Sequence, residues 1–209
     1  MRIVITSDTH GKHDELAEMS GDVLIHCGDF CDGFHPDEDD IRRIDNWFGR
    51  QQFRKILCTG GNHDFVAQDH SGDEPLFENA TYLVDGGLVF EGVRFYGAPW
   101  VPMLQSWAYY LSDDELFAKW SLIPSDTDVL ITHTPPWHIL DSPRDPEIHC
   151  GCSHLAARIS ELHLKLHCFG HNHASYGRVD HDGMTYLNAS AVDSNFAIAN
   201  APFVFDIEP

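Results

Sequence analysis

Along the chain, short runs of Val, Ile and Leu alternate with segments whose apolar residues recur every three or four positions. "RIVITS", "DVLIHCGD", "RKILCTGG", "DVLITH" and "LKLHCFGH" are compact apolar runs bounded by Gly, Asp or Pro, the pattern of buried strands. "GLVFEGVRFYG" folds back at Glu91 and Gly92 as a hairpin, a second hairpin turns at Asp182–Gly183 before "DGMTYLNAS", and "PFVFDI" adds a last strand. In "PDEDDIRRIDNWFGR", Ile41, Ile44, Trp47 and Phe48 fall on one helical face, with Pro36 and acids at its start and Gly49 near its end. "SDDELFAKW" begins with Ser112 and places Glu115 three residues on, a capping box. A third helix is expected from Cys152 to His163. Strands alternating with helices predict parallel pairing with added hairpins, so the fold class is α/β, a layered sandwich. No repeat, low-complexity tract or linker interrupts the chain, and residues 1–209 are expected to form a single domain. The four prolines of "HTPPWHILDSPRDPEIH" predict an irregular loop lying over something.

Charge narrows the classes of partner. The chain carries 33 acidic and 13 basic residues, a formal charge of −20. Such a surface repels long DNA or RNA, whereas a small phosphate compound fits if bound cations supply positive charge at the site. No run approaches the roughly 18 apolar residues of a membrane span, and "MRIVITSDTH" has no cleavage region, so a soluble, cytoplasmic protein without a membrane partner is expected. Six cysteines make no CxxC pair. "HCGCSH" at 149–154 gathers two thiols and two imidazoles, but without a second ligand pair it reads as the opening of the third helix. Cys27, Cys58 and Cys168 lie in apolar runs and read as reduced and buried.

Polar residues with metal-ligating chemistry follow the apolar runs. Asp8 and His10 come after the first, Asp29 after the second, and Asn62, His63 and Asp64 after the third. His133 follows "DVLIT", and His171 and His173 follow "LKLHCF". In open α/β sheets, groups at the carboxyl ends of strands meet in one crevice. Alternation along extended backbone is expected to send Asp8 with His10, and His171 with His173, to the same place. Carboxylate, imidazole and amide oxygen together suit Mn, Fe or Zn, and seven such groups are too many for one ion. His13, His26, His35, His70, His138, His149, His154, His163, His167 and His181 read as core or surface residues.

The ordered set "SDTH", "CGDF", "GGNHD", "ITHTPP" and "FGHNH" resembles the calcineurin-like metallophosphoesterases, whose pattern is DxH, GD, GNH(D/E), a lone His and GHxH. "YGAPW", "YLNAS" and "PFVFDI" are similar to the branch called metallophosphoesterase domain-containing proteins, also known from fetal brain. The resemblance implies an αββα sandwich of two mixed sheets and two divalent metals, manganese first with iron or zinc as alternatives. It implies that Asp8, His10, Asp29 and His173 hold one ion and Asp29, Asn62, His133 and His171 the other, with Asp29 bridging. A bridging hydroxide would attack phosphorus and His63 would donate a proton to the leaving group. Asp64 would either orient His63 or serve a structural turn. The branch implies small phosphodiesters, including cyclic nucleotides, with a phosphomonoesterase, a protein phosphatase or a nucleotide-binding regulatory protein of little turnover as the alternatives.

Trp100, Trp107, Tyr109, Tyr110 and Trp137 border the expected crevice, where an aromatic face stacks on a nucleobase unless the rings fill the core. Arg144 is the only basic residue of the proline-rich loop.

Overall fold

The computed structural model describes residues 1–32, 35, 37, 39–70, 75–143, 145 and 147–208. Two sheets stack face to face. The first has the order β11-β1-β2-β3-β4, built from β1 (Arg2–Thr6), β2 (Val23–His26), β3 (Lys55–Cys58), β4 (Thr81–Tyr82) and β11 (Phe203–Asp206). Only β11 runs antiparallel in it. The second has the order β5-β6-β7-β8-β10-β9, from β5 (Gly86–Phe90), β6 (Val93–Ala98), β7 (Val129–Thr132), β8 (Leu166–Phe169), β9 (Gly177–His181) and β10 (Met184–Asn188). The hairpin arms β5 and β9 run antiparallel to their neighbours and the inner strands are parallel. This is the expected layered sandwich of two mixed sheets flanked by helices.

Alternation divides the apolar side chains into layers. Ile3, Ile5, Val23, Ile25 and Leu57 of the first sheet meet Phe95, Val129, Ile131, Leu166 and Leu187 of the second in the central core. The opposite faces of the strands bind helices. Val4, Leu24 and Ile56 pack under α1 (Asp39–Arg50), whose Ile44, Trp47 and Phe48 are buried as its periodicity predicts. Tyr96, Leu130 and Phe169 pack under α3 (Asp113–Trp120) and α4 (Ser153–Ile159). Strands buried on both sides explain their near-continuous apolar sequence.

The capping box of α3 forms, with the Ser112 N–H donating to the Glu115 carboxylate at 3.0 Å. The third predicted helix is shorter than expected. Cys152 is its N-cap, but it ends at Ile159 and tightens through the Leu162 N–H to Ile159 carbonyl bond, so Leu162 and Leu164 still reach the core. Pro36, the expected start of α1, and Arg144 lie outside the described residues. The two-residue β4 and α2 (Phe65–Asp69) carry no periodic signal, because both are too short to establish a period. Cys27, Cys58 and Cys168 are buried free thiols, as read.

His26 and His167 occupy interior positions beneath the strand ends. His167 has Nε2 2.8 Å from Thr132 Oγ1, and burial lowers its pKa from 6.5 to about 3. Because the unfolded chain binds that proton near 6.5, stability is complete above this value and is lost as pH falls toward 3. A His167→Leu variant should flatten the acid limb of the stability curve by up to about 1.4 kcal/mol per pH unit between pH 6 and 4. Denaturant titrations across that range check the slope; an unchanged slope contradicts the assignment.

Candidate metal centre

The two sheets are joined just past the carboxyl ends of β1 and β10. Ser7, just past β1, forms an isolated parallel bridge with Ser190, just past β10. Around this seam the loops run on as a ladder. Asp8 N–H donates to the Gly28 carbonyl at 2.9 Å, His10 N–H to Asp29 at 3.0 Å, and Gly170 N–H to His133 at 3.1 Å.

Left-handed backbone, rather than extended alternation, aims the side chains. Asp8, His10, Asp29 and His171 have φ of 52°, 45°, 55° and 70°. The expectation that residues two apart meet through strand geometry is thereby corrected: β1 ends at Thr6, and His173 opens a short 3-10 turn. Asp, His and Asn tolerate this region better than bulky or β-branched residues, which accounts for such residues at sharp turns. Gly28, at φ 94°, lies so close to the next loop that a Cβ would stand 2.6 Å from the Gly60 carbonyl oxygen. At Gly170 a Cβ would collide with the Asp8 carboxylate and the Ser7 hydroxyl.

All seven expected ligands converge. His173 Nε2 lies 3.3 Å from Asp8 Oδ1 and 3.2 Å from His10 Nε2, which is 3.9 Å from Asp29 Oδ2. Asp29 Oδ2 is 3.3 Å from His133 Nε2; His133 Nε2 is 3.0 Å from Asn62 Oδ1; and that oxygen is 2.8 Å from His171 Nδ1. Asp29 stands in the middle of this chain. Three overlapping groups, Asp8–His10–His173, Asp8–Asp29–His133 and His10–Asp29–His63, each bring their donor atoms within 4.8 Å of one another. The third brings His63 into ligand range as well.

Electrostatics set the protonation of these donors unevenly. Burial would raise the Asp29 pKa, but His133 opposes this and keeps the carboxylate well below its ordinary range. Burial disfavours a charged His133, yet Asp29 and Asp8 outweigh it and raise the pKa to about 9. His10 and His171 are lowered by burial to about 4 and are neutral at pH 7. The His133 Nδ1 donates to the Cys27 carbonyl at 2.9 Å, leaving Nε2 toward the cluster. His10 Nδ1 is buried without a hydrogen-bond partner among the described residues, while its other nitrogen faces a second imidazole. A buried nest of carboxylate, imidazole and amide oxygen with so few protons fits divalent transition metals.

Other residues support this nest. Asp64 accepts the N–H groups of Asp29 and Gly61 at 2.8 Å and of Cys31 at 2.9 Å, so its carboxyl group braces the loops. Asp29 Oδ1 in turn accepts the His63 N–H at 2.7 Å. Ser190 Oγ donates to Asp8 Oδ2 at 2.9 Å, and Asn188 Nδ2 donates to the Asn172 carbonyl at 3.0 Å. Neither Asn188 nor Ser190 was singled out as a site residue, although "YLNAS" ends an apolar strand in the same way as the ligand motifs.

The proline-rich loop is irregular and borders the site. Buried Asp141 gathers it, accepting the His138 N–H at 3.0 Å and the His149 imidazole at 2.8 Å. Pro143, Asp145 and Ile148 line a cleft of about 510 Å³ with His171, Asn172, His173, Ala174 and Ser194. Of the five aromatic candidates, Trp107 lies against His63 with ring centroids 4.5 Å apart. Tyr109 is core, bonded to Tyr82, and Trp100 binds Asp85 at 2.6 Å. Trp137 packs beside His138 and His149. Phe196, which the sequence did not mark, lies 4.9 Å from His10 and 5.1 Å from His173.

A sandwich whose strand ends gather these donors has the layout of a metal-dependent phosphoesterase. The family model for calcineurin-like phosphoesterases matches residues 1–175, and the chain belongs to that family. It is 33% identical over 232 residues to Metallophosphoesterase domain-containing protein 1 of Homo sapiens and equally to that of Mus musculus, covering 99% of this chain and 71% of each relative. A solved phosphopantetheinyl hydrolase from Mycobacterium tuberculosis shares the fold at a TM-score of 0.60 and 15% identity, covering 93% of this chain and 90% of that one. Among the described residues, no helix is long and apolar enough to cross a membrane.

Two outcomes are expected of this geometry. Metal uptake should release at least one proton near neutrality, from His133 and from His173, whose pKa Asp8 raises against the effect of burial, so that affinity rises with pH up to about 9. Calorimetric titration in buffers of differing ionisation enthalpy measures that proton. Gly170→Ala should push Asp8 aside and weaken metal binding about 10- to 100-fold while circular dichroism remains native.

Proposed function

We propose that this chain, with residues 1–209 as one metallophosphoesterase domain, is a phosphodiesterase that hydrolyses small phosphodiesters, nucleotide esters and cyclic nucleotides among them. The observation that carries the reading is the unbroken run of short contacts from Asp8 to His171 with Asp29 at its centre. Asp8, His10, Asp29 and His173 would hold one divalent ion, and Asp29, Asn62, His133 and His171 the second, with manganese the expected metal and iron or zinc acceptable. When bound, such a pair supplies an activated water and stabilises charge on the phosphate oxygens.

The chain's own residues do the rest. Loop bracing by Asp64 and Ser190 keeps the two carboxylates in place, which fixes where phosphorus sits. Water provides the new oxygen on phosphorus, the departing oxygen keeps the broken bond's electron pair, and His63 hands it a proton. The proton lost by the water restores His63. Burial lowers the His63 pKa and Asp29 opposes that, so an arriving anionic phosphate favours its protonated form.

Two apolar surfaces flank the centre and support a diester over a monoester. One is the cleft with Pro143, Ile148 and Ala174, and the other is the rim formed by Trp107 and Phe196. A monoester has one organic substituent to place; a diester has two.

Manganese-loaded protein should hydrolyse bis(p-nitrophenyl) phosphate faster than p-nitrophenyl phosphate. His171→Ala should bind one metal equivalent fewer and lose at least about a hundredfold in turnover while remaining folded. Preference for the monoester would assign a phosphomonoesterase instead, and a fully active His171→Ala would overturn the ligand set.

A further inference from the structure

Phe196 occupies a conformation and a place that core packing does not account for. Its φ is 59°, the left-handed region in which an aromatic residue is strained. The surrounding turn enforces it. Phe196 N–H donates to the Asp193 carbonyl at 2.9 Å, the Asp193 carboxylate accepts the N–H groups of Asn195 at 2.8 Å and Ala197 at 3.1 Å, and Lys12 Nζ donates to the Phe196 carbonyl. Neither Phe196 nor Trp107 belongs to the three apolar clusters of the core, and both are half-buried.

What the strain achieves is a ring at the metal centre. Phe196 stands edge-on to His10 and His173, with centroids 4.9 and 5.1 Å away, and is 6.2 Å from His63. Trp107 lies 4.5 Å from His63, inclined by 43°, with Phe65 a further 6.0 Å from Trp107. Two aromatic rings therefore lie beside His63. If His63 protonates the departing oxygen, as the proposed function requires, the group attached to that oxygen lies beside the same two rings.

We infer that Phe196 and Trp107 form a leaving-group slot around His63 that selects phosphate esters whose departing alcohol carries a planar aromatic ring. Phe196 is a specificity-determining residue in this slot. The inference rests on the hydrolytic reading above.

The test uses the manganese-loaded full chain and two methyl diesters, one with phenol and one with trifluoroethanol as leaving group. Phe196→Leu retains bulk and removes the ring face. It should lower kcat/KM for the phenyl ester about fivefold, leave the trifluoroethyl ester within about twofold, and be reversed by Phe196→Tyr. An equal fall for both esters would make Phe196 a structural prop, and no change for either would remove it from recognition; both results overturn the slot. Equilibrium binding separates this failure from failure of the hydrolytic reading. Should the wild type hydrolyse neither ester, quenching of tryptophan fluorescence by phenyl phosphate against methyl phosphate decides. Tighter phenyl phosphate binding that Phe196→Leu abolishes sustains the slot, and equal binding of the two overturns it.

Discussion

Two carboxylates, Asp8 and Asp29, are buried where the sheets meet, and the rest of the molecule is arranged so that this is tolerable. An isolated charge in such a place is strongly disfavoured unless it is paired and hydrogen-bonded. Here Asp8 accepts the His171 N–H and the Ser190 hydroxyl, and Asp29 accepts the His63 N–H beside the imidazole of His133. The partners lie 34 to 182 residues away in sequence, and those carried by the second sheet arrive only once both sheets have closed, so the charge is buried by the completed fold rather than by any one loop. The Ser7–Ser190 bridge is the seam that makes this closure possible.

The same seam explains why the ligand loops are strained. A carboxylate or imidazole at the end of a parallel strand would continue along the strand direction, away from its neighbours. Left-handed turns at Asp8, His10, Asp29 and His171 bend each loop back over the sheet edge, at an energetic cost that the hydrogen-bonded ladder between loops offsets. Asp64 contributes most directly, since one carboxylate ties the second and third loops together through three N–H groups. Close backbone approach at Gly28 and Gly170 then leaves no room for a side chain.

Much of this was legible in the sequence, for identifiable reasons. Strands buried on both faces write themselves as unbroken runs of Val, Ile and Leu, and the helical face of Ile44, Trp47 and Phe48 follows from a period that a long segment can establish. Every candidate ligand sits directly after such a run, which is why the convergence of Asp8, His10, Asp29, Asn62, His133, His171 and His173 could be anticipated. Local geometry could not: alternation was the wrong device for Asp8 and His10, because their turn conformation is set by neighbouring loops distant in sequence. β4 and α2 are short enough that tertiary contacts alone define them. Phe196 follows no apolar run, and the Asx turn at Asp193 that shapes its loop does not by itself mark the ring as a neighbour of the site.

The net charge of −20 bears on how an anionic substrate meets this site. An acidic surface repels a phosphate at long range, although screening confines that repulsion to about 8 Å at physiological ionic strength. Inside the site Asp8 and Asp29 are anionic, and the cationic forms of His133 and His173 that they favour are engaged with those same carboxylates. Attraction for phosphate must therefore come from cations held by Asp8 and Asp29, whose own charge the bound metals more than offset. On the proposed reading, binding then depends on close range, where bound metals would fix the phosphate and the surrounding rings and cleft would sort its organic groups. On the proposed reading the metal nest is generic and selectivity falls to Pro143, Ile148 and Phe196, which lie outside the regular elements.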